Sequence, residues 1–240
     1  MDAMRNAPWD RYWSDLPVVA GEAPWDASPK AVVLHQLTTF LDHFDRTLPT
    51  ADLGCGTGRQ TAALATVFDR VFGLDVSDAA LNAAERLSPA PNVRYHRLDA
   101  CDPEAAAAFH HDHGDMNVYV RGLFHQLGSD RVDAAGRSLA RLAGARGRVF
   151  LIEFPAQSPD LSRLTSSVKG VPPKLQRVLD AGIVPGQLGD GELKDVLTRS
   201  GFQIVDSGVI QDETTMLDSD GAPVPLLQDY VLAQPTGENM

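Results

Sequence analysis

Apolar residues fall along this chain in short runs, separated by longer stretches in which they recur every three or four positions. The runs at 49–53, 71–76, 93–99, 116–121 and 148–154, several of them valine-rich, read as strands buried on both faces. The stretches 60–68, 79–87, 103–109 and 131–142 between them read as helices, the second opening behind Ser77 and Asp78 as caps. Such alternation is the pattern of a parallel sheet covered by helices on both faces. Ahead of it, Val32, Val33, Leu34, Leu37, Phe40 and Leu41 stand at helical spacing and predict an amphipathic helix over 29–44.

The alternation breaks at 155–189, where prolines at 155, 159, 172, 173 and 185 surround two short helical stretches. That region reads as an insertion. After it, 191–200 reads as a helix ending at Gly201, and 202–210 and 226–232 as two strands joined by the acidic, turn-rich stretch 211–224. The pair suits an antiparallel edge.

Composition narrows the partners. The 240 residues are 43% hydrophobic, enough for one substantial core, and carry a formal net charge of -11. That balance argues against nucleic acid, whose binding rests on Lys and Arg neutralising phosphates, and against an acidic membrane surface. Cys55 and Cys101 are isolated, with no zinc spacing and no disulfide framework, which suits a cytoplasmic protein. The first residues lack the apolar core of a signal peptide, and no stretch approaches the ~18 apolar residues of a membrane span.

The most informative run is Ala51-Asp52-Leu53-Gly54-Cys55-Gly56-Thr57-Gly58-Arg59-Gln60-Thr61, between a strand and a helix. Alternate glycines let the backbone turn sharply and approach a ligand closely. A dinucleotide fingerprint would need glycine at position 59, where Arg59 stands, so an NAD-dependent oxidoreductase is disfavoured. Asp52, just ahead of the glycines, suits a guest with a cationic end better than a pyrophosphate.

Asp52-Leu53-Gly54-Cys55-Gly56-Thr57-Gly58 resembles the first motif of the class I S-adenosylmethionine-dependent methyltransferases. The resemblance covers roughly residues 30–235 and implies a Rossmann-like α/β fold: a seven-stranded, mostly parallel sheet with an antiparallel last strand. It implies S-adenosylmethionine as cofactor, S-adenosylhomocysteine as product and a small-molecule acceptor as partner. Asp52 would lie near the cofactor's ammonium, with Gly54, Cys55 and Gly56 passing alongside its amino acid end. Asp75, seventeen residues after Gly58, would accept the ribose hydroxyls, or else cap the turn before the next helix. Asp99 and Ala100 resemble the pair that reads adenine, with Val76 and Cys101 lining the pocket; a turn role for Asp99 stays open.

The segment Asn117-Val118-Tyr119-Val120-Arg121-Gly122-Leu123-Phe124-His125 resembles the family's floor beneath the methionine portion. Arg121, at a strand's carboxyl end and a candidate for both catalysis and cofactor binding, is expected to hold an acidic substrate group or to pair with a structural carboxylate. His125 is the candidate general base, the alternative being a histidine packed beneath the site. Glu153, ending the fifth strand, would contact substrate or cap the insertion. His110-His111-Asp112-His113 reads as a polar loop whose adjacent histidines do not converge on a metal, and Asp212, Glu213 and Asp218 to Asp220 read as a solvated loop.

All three tryptophans lie ahead of the glycine motif, in Pro8-Trp9-Asp10-Arg11-Tyr12-Trp13 and Pro24-Trp25-Asp26. This loosely resembles the tellurite-resistance, thiopurine and halide or thiol methyltransferases, in which Trp13 and Trp25 would cover the cofactor. The alternative is a helix packed on the sheet through Trp9 and Trp13. The expected organisation is a lid and helix over 1–45, a catalytic domain over 46–235 whose insertion helps cover the acceptor, and a disordered tail over 236–240. A homodimer is compatible with the sequence. Rival readings are a thiol or halide methyltransferase and a catalytically inactive cofactor-binding module.

Overall fold

The computed structural model describes residues 3–17, 19, 21–24, 29–154, 171, 173–183, 188–189, 191–217 and 223–237. The Trp25 segment, most of the insertion, Asp218 to Asp220 and residues 238–240 of the tail lie outside them. Along the chain come α1 (Ala3–Asp15), α2 (Pro29–Phe40), β1 (Thr50–Leu53), α3 (Arg59–Leu64), β2 (Val71–Asp75), α4 (Asp78–Leu87) and β3 (Val93–Arg97). Then follow α5 (Pro103–His113), β4 (Asn117–Arg121), a 3-10 turn (Phe124–Gln126), α6 (Ser129–Ala143) and β5 (Val149–Glu153). The chain continues through α7 (Pro173–Asp180), α8 (Glu192–Arg199), β6 (Phe202–Leu217) and β7 (Pro223–Pro235).

The strands form one seven-stranded sheet in the order β3-β2-β1-β4-β5-β7-β6. Strands β1 to β5 are parallel; β7 runs antiparallel to both β5 and β6. The expected fold is the observed one. Every residue of β1, β2 and β5 is buried, whereas β3, at the edge, alternates out to solvent. Continuous apolar runs therefore belong to the strands that helices cover on both sides.

One face carries α5, α6 and α8, through Ala106, Leu139, Leu142 and Val196 among others. The other carries α2 and α3, through Leu37, Phe40 and Leu64 packed on Tyr119, Phe150 and Leu232. A third cluster joins α1, α4 and α7 through Tyr12, Trp13, Leu16, Ala80, Leu175 and Val178. Among the described residues helix α1 thus packs chiefly on α4 and α7. Local signals fix the helix starts: the Ser77 hydroxyl accepts from Ala80 N at 3.2 Å, and Asp102 accepts from the amides of Glu104 and Ala105 ahead of Pro103.

Two sequence expectations change. Helix α5 runs through His113, so the histidines form its last turn and not a loop, and Gly114 stops the helix at φ 78°. Strand β6 extends to Leu217 and β7 begins at Pro223, so Asp212 and Glu213 lie in a ladder, opposite Leu226 and Pro225. Backbone pairing alone builds such a hairpin, and acidic side chains do not forbid it.

The strand order reverses between β1 and β4. Connections after β1 run outward through β2 to β3, and the chain then returns to place β4 on the other side of β1. In open α/β sheets the crevice outside the strands' carboxyl ends at such a reversal is where ligands bind.

Candidate active site

At that crevice β1 delivers Leu53 into the glycine loop. The amides of Gly54 and Cys55 both donate to Leu74 O, at 2.7 and 3.1 Å, which pins the loop to the tip of β2. Gly56 adopts φ +53°, and a Cβ there would stand 3.0 Å from carbons of the Trp13 indole. The loop passes directly beneath Trp13, which only glycine permits in this backbone conformation.

Three carboxylates surround the loop. Asp52 is buried and accepts from Thr61 Oγ1 at 2.6 Å. Burial pushes its carboxyl up to about 7; the Thr61 hydrogen bond opposes this, the Asp75 charge adds to it and the Arg121 guanidinium pulls back. Asp75 accepts from Gly56 N at 2.9 Å through Oδ2 and from Ser77 N at 3.0 Å through Oδ1. Burial raises its carboxyl too, against those backbone hydrogen bonds, and Asp10 of α1 adds to the rise. Asp75 thus takes the turn role, and each of its oxygens keeps a further lone pair.

Asp99, just after β3, accepts from Cys101 N at 2.8 Å and from Arg131 Nη2 at 3.0 and 3.1 Å. The sequence reading missed Arg131, which reaches Asp99 from the first turn of α6 and lines the same cavity. Buried Cys55 holds its thiol protonated, burial and the Asp75 and Asp52 charges all raising it.

At the tip of β4 the arrangement changes character. Glu153, wholly buried at the end of β5, accepts through Oε1 from Leu123 N at 2.6 Å and Phe124 N at 2.5 Å. Its Oε2 faces His125 Nδ1 at 2.6 Å, and Gln126 Nε2 meets His125 Nε2. The Phe154 ring stands edge-on to the imidazole at 4.8 Å. His125 is therefore held on three sides.

One cavity gathers Trp13, Asp52, Gly54, Cys55, Gly56, Asp75 and Val76 with Asp99, Ala100, Arg121 and His125. Trp25 lies outside the described residues, and Cys101, expected to line the pocket, and Glu153, which stands behind His125, are not among the lining residues. Residues that sequence reasoning did not assign to it include Trp9, Gln60, Gln126, Phe154 and Gln228. Gln228, on β7, is 1% exposed, and its Oε1 has no hydrogen-bond partner among the described residues. A glutamine in an apolar strand was its only signal. Among the described residues no three His, Cys, Asp or Glu side chains converge as metal ligands.

Comparison with known proteins now decides the family. A methyltransferase domain model matches residues 51–147. The crystal structure of an S-adenosylmethionine-dependent methyltransferase from Anabaena variabilis superposes with a TM-score of 0.87 at 31% identity, covering 95% of this chain and 93% of that one. The chain belongs to the S-adenosylmethionine-dependent methyltransferases. Two curated relatives match over shorter stretches of this methyltransferase. A probable thiol methyltransferase of Arabidopsis thaliana is 34% identical over 97 residues, 40% of this chain and 39% of that protein. An O-methyltransferase of Penicillium expansum is 27% identical over 161 residues, 65% of this chain and 52% of that protein. The chain thus spans about half or less of the length of these two relatives.

The residues present fit the family's cofactor. A zwitterionic amino acid group would find a buried carboxylate in Asp52, whose carboxyl burial raises, and a guanidinium in Arg121 on the same cavity wall. The loop approaches closely enough that one Cβ at Gly56 would fill the space under Trp13.

Proposed function

We propose that this methyltransferase binds S-adenosylmethionine across the carboxyl ends of β1, β2 and β4 and methylates a small-molecule acceptor. The observation that carries this reading is that the glycine loop, the Asp52 and Arg121 charges and His125 share one cavity. Bound there, the cofactor supplies a methyl group made electrophilic by sulfonium.

In this reading Asp52 and Arg121 hold opposite ends of the amino acid moiety, and Asp75 holds the ribose. Asp99 and Ala100 face the base beside Val76, with Arg131 steadying the Asp99 carboxylate. Trp13 and Trp9 of the lid exclude water from above, and Trp25 is proposed to extend that cover. The rate gain comes mainly from positioning and exclusion of water. His125 takes the acceptor's proton as the acceptor atom attacks.

The names of the two curated relatives support sulfur or oxygen as the methylated atom. The net charge of -11 supports an acceptor other than nucleic acid, and free Cys55 and Cys101 support a cytoplasmic setting. No described helix is long and apolar enough to cross a membrane. Residues 1–45 act as lid and leading helix to the catalytic domain of 46–235, and the insertion over 155–189 helps cover the acceptor.

Calorimetry with S-adenosylhomocysteine tests the cofactor assignment: the expected result is saturable heat at one site. No heat from folded protein, or binding of a nicotinamide dinucleotide instead, overturns it. Methyl-labelled donor with thiol and phenol acceptors then separates an enzyme from a binding module, which would release no label to any acceptor.

A further inference from the structure

Glu153 is the buried charge-bearing group that the proposed chemistry leaves unused. Its carboxylate has three donors around it and a fixed polarity. Oε1 is committed to the amides of Leu123 and Phe124, so only Oε2 remains for the imidazole, and it meets Nδ1 at 2.6 Å. An ionised carboxylate accepts and cannot donate, so the ring proton sits on Nδ1 and the lone pair on Nε2. The edge-on Phe154 ring restrains the imidazole plane. Gln126 Nε2, an amide donor that also lines the cavity, meets Nε2 as a donor meets a lone pair.

We infer that Glu153 is a positioning residue that locks His125 in the tautomer whose Nε2 accepts a proton, and that the site therefore takes an acceptor with an ionisable O–H, N–H or S–H. This rests on the methyltransferase reading and names its acceptor class. The acceptor's hydrogen takes the place of the Gln126 amide at Nε2. As the proton moves to Nε2, the freed electron pair forms the bond to the methyl carbon, and the pair of the broken carbon–sulfur bond stays on sulfur. The positive charge thereby passes to an imidazolium that Glu153 already faces. A halide, having no proton to lose, gains nothing from such a device.

Glu153→Gln separates positioning from mere packing, because its shape is nearly unchanged. The glutamine carbonyl oxygen is drawn to the two backbone donors, which leaves its NH2 facing Nδ1. Nδ1 must then accept, and the ring proton moves to Nε2. Nitrogen-15 NMR of the histidine-labelled protein, recorded at alkaline pH, reads this tautomer directly. The expected result is a proton on Nδ1 of His125 in the natural protein and on Nε2 in E153Q, each resonance assigned by its loss in His125→Ala.

A proton on Nε2 in the natural protein, or one still on Nδ1 in folded E153Q, overturns the inference. The first of these stands even if E153Q does not fold. For the acceptor class the probe is sodium iodide with methyl-labelled donor: no methyl iodide is expected, and its formation overturns the assignment. Failure of S-adenosylhomocysteine to bind would instead strike the methyltransferase reading, since the tautomer is measurable on the protein without it.

Discussion

Asp52 has a titration of unusual sign for an aspartate. Its carboxyl is raised from 3.8 to about 7 by burial, so the folded chain holds a proton that the unfolded chain has already lost. Its contribution to stability is complete below about pH 4 and is lost as pH rises towards 7. Thermal melting of the ligand-free protein, compared with Asp52→Asn, is expected to show a steeper fall in the natural chain, the variant keeping the part due to buried Asp75. A ligand ammonium favours the charged form, so binding should release a proton below pH 7 and strengthen as pH rises through it. Calorimetry at pH 6 in buffers of different ionisation enthalpy checks this, and the absence of proton release would contradict it.

For Asp75→Ala, each lost hydrogen bond to a charged acceptor is worth ~1.5–3 kcal/mol, so S-adenosylhomocysteine affinity should fall at least about tenfold. Unchanged affinity in a folded variant removes the ribose contact. Gln228 predicts the opposite trade. An unpartnered buried amide oxygen costs ~1–3 kcal/mol, so Gln228→Leu should melt higher while transferring methyl more poorly. A lower melting temperature would show that the amide is satisfied by other means.

These residues differ in how visible they were in the sequence. Asp52, Gly56 and Asp75 announce themselves because one loop and the strand tip after it carry them at short spacing. Glu153, Arg131 and Gln228 meet the site only through tertiary structure, from β5, α6 and β7, and each alone resembles an ordinary strand or helix residue. The sequence left Glu153 between contact and cap. It touches His125, a pairing across 28 residues that no local pattern encodes.

Among the elements, the five parallel strands were legible to within two residues, because burial on both faces demands unbroken apolar runs. The hairpin was underestimated because turn-forming residues occupy a ladder that backbone pairing sustains. Helix α1 was legible as an aromatic cluster but not as to placement: Trp9 and Trp13, stacked at 6.3 Å, are ordinary anchors by spacing, yet both line the cavity. The close approach of Trp13 to Gly56 joins helix α1 to the glycine loop. Gly56→Val would combine a strained positive φ with a clash against the indole. S-adenosylhomocysteine binding is expected to fall below detection by calorimetry while the circular dichroism spectrum is retained. Normal binding by a folded variant would refute the close-approach argument.

At the scale of the molecule, the cavity is walled by strand tips, by helix α1, which rests on α4 and α7, and by a strand from late in the chain. Ligand binding should therefore stabilise the whole fold. At 100 times Kd the expected gain is ~2.7 kcal/mol, or about 5–11 °C in melting temperature for a chain of this size. A shift confined to a minor unfolding phase would show that the lid melts separately.

The direction of β7 has one more consequence. Glu153 is registered opposite Asp229, so the residues flanking that pair, Phe154 and Gln228, reach the cavity together. Because β7 runs against its neighbours, it brings Gln228, from within the strand, to the rim on a segment that bears no part of the glycine loop. Recoding β7 around Gln228 is thus a way to retune which compound is admitted while the nucleoside half of the pocket stays untouched.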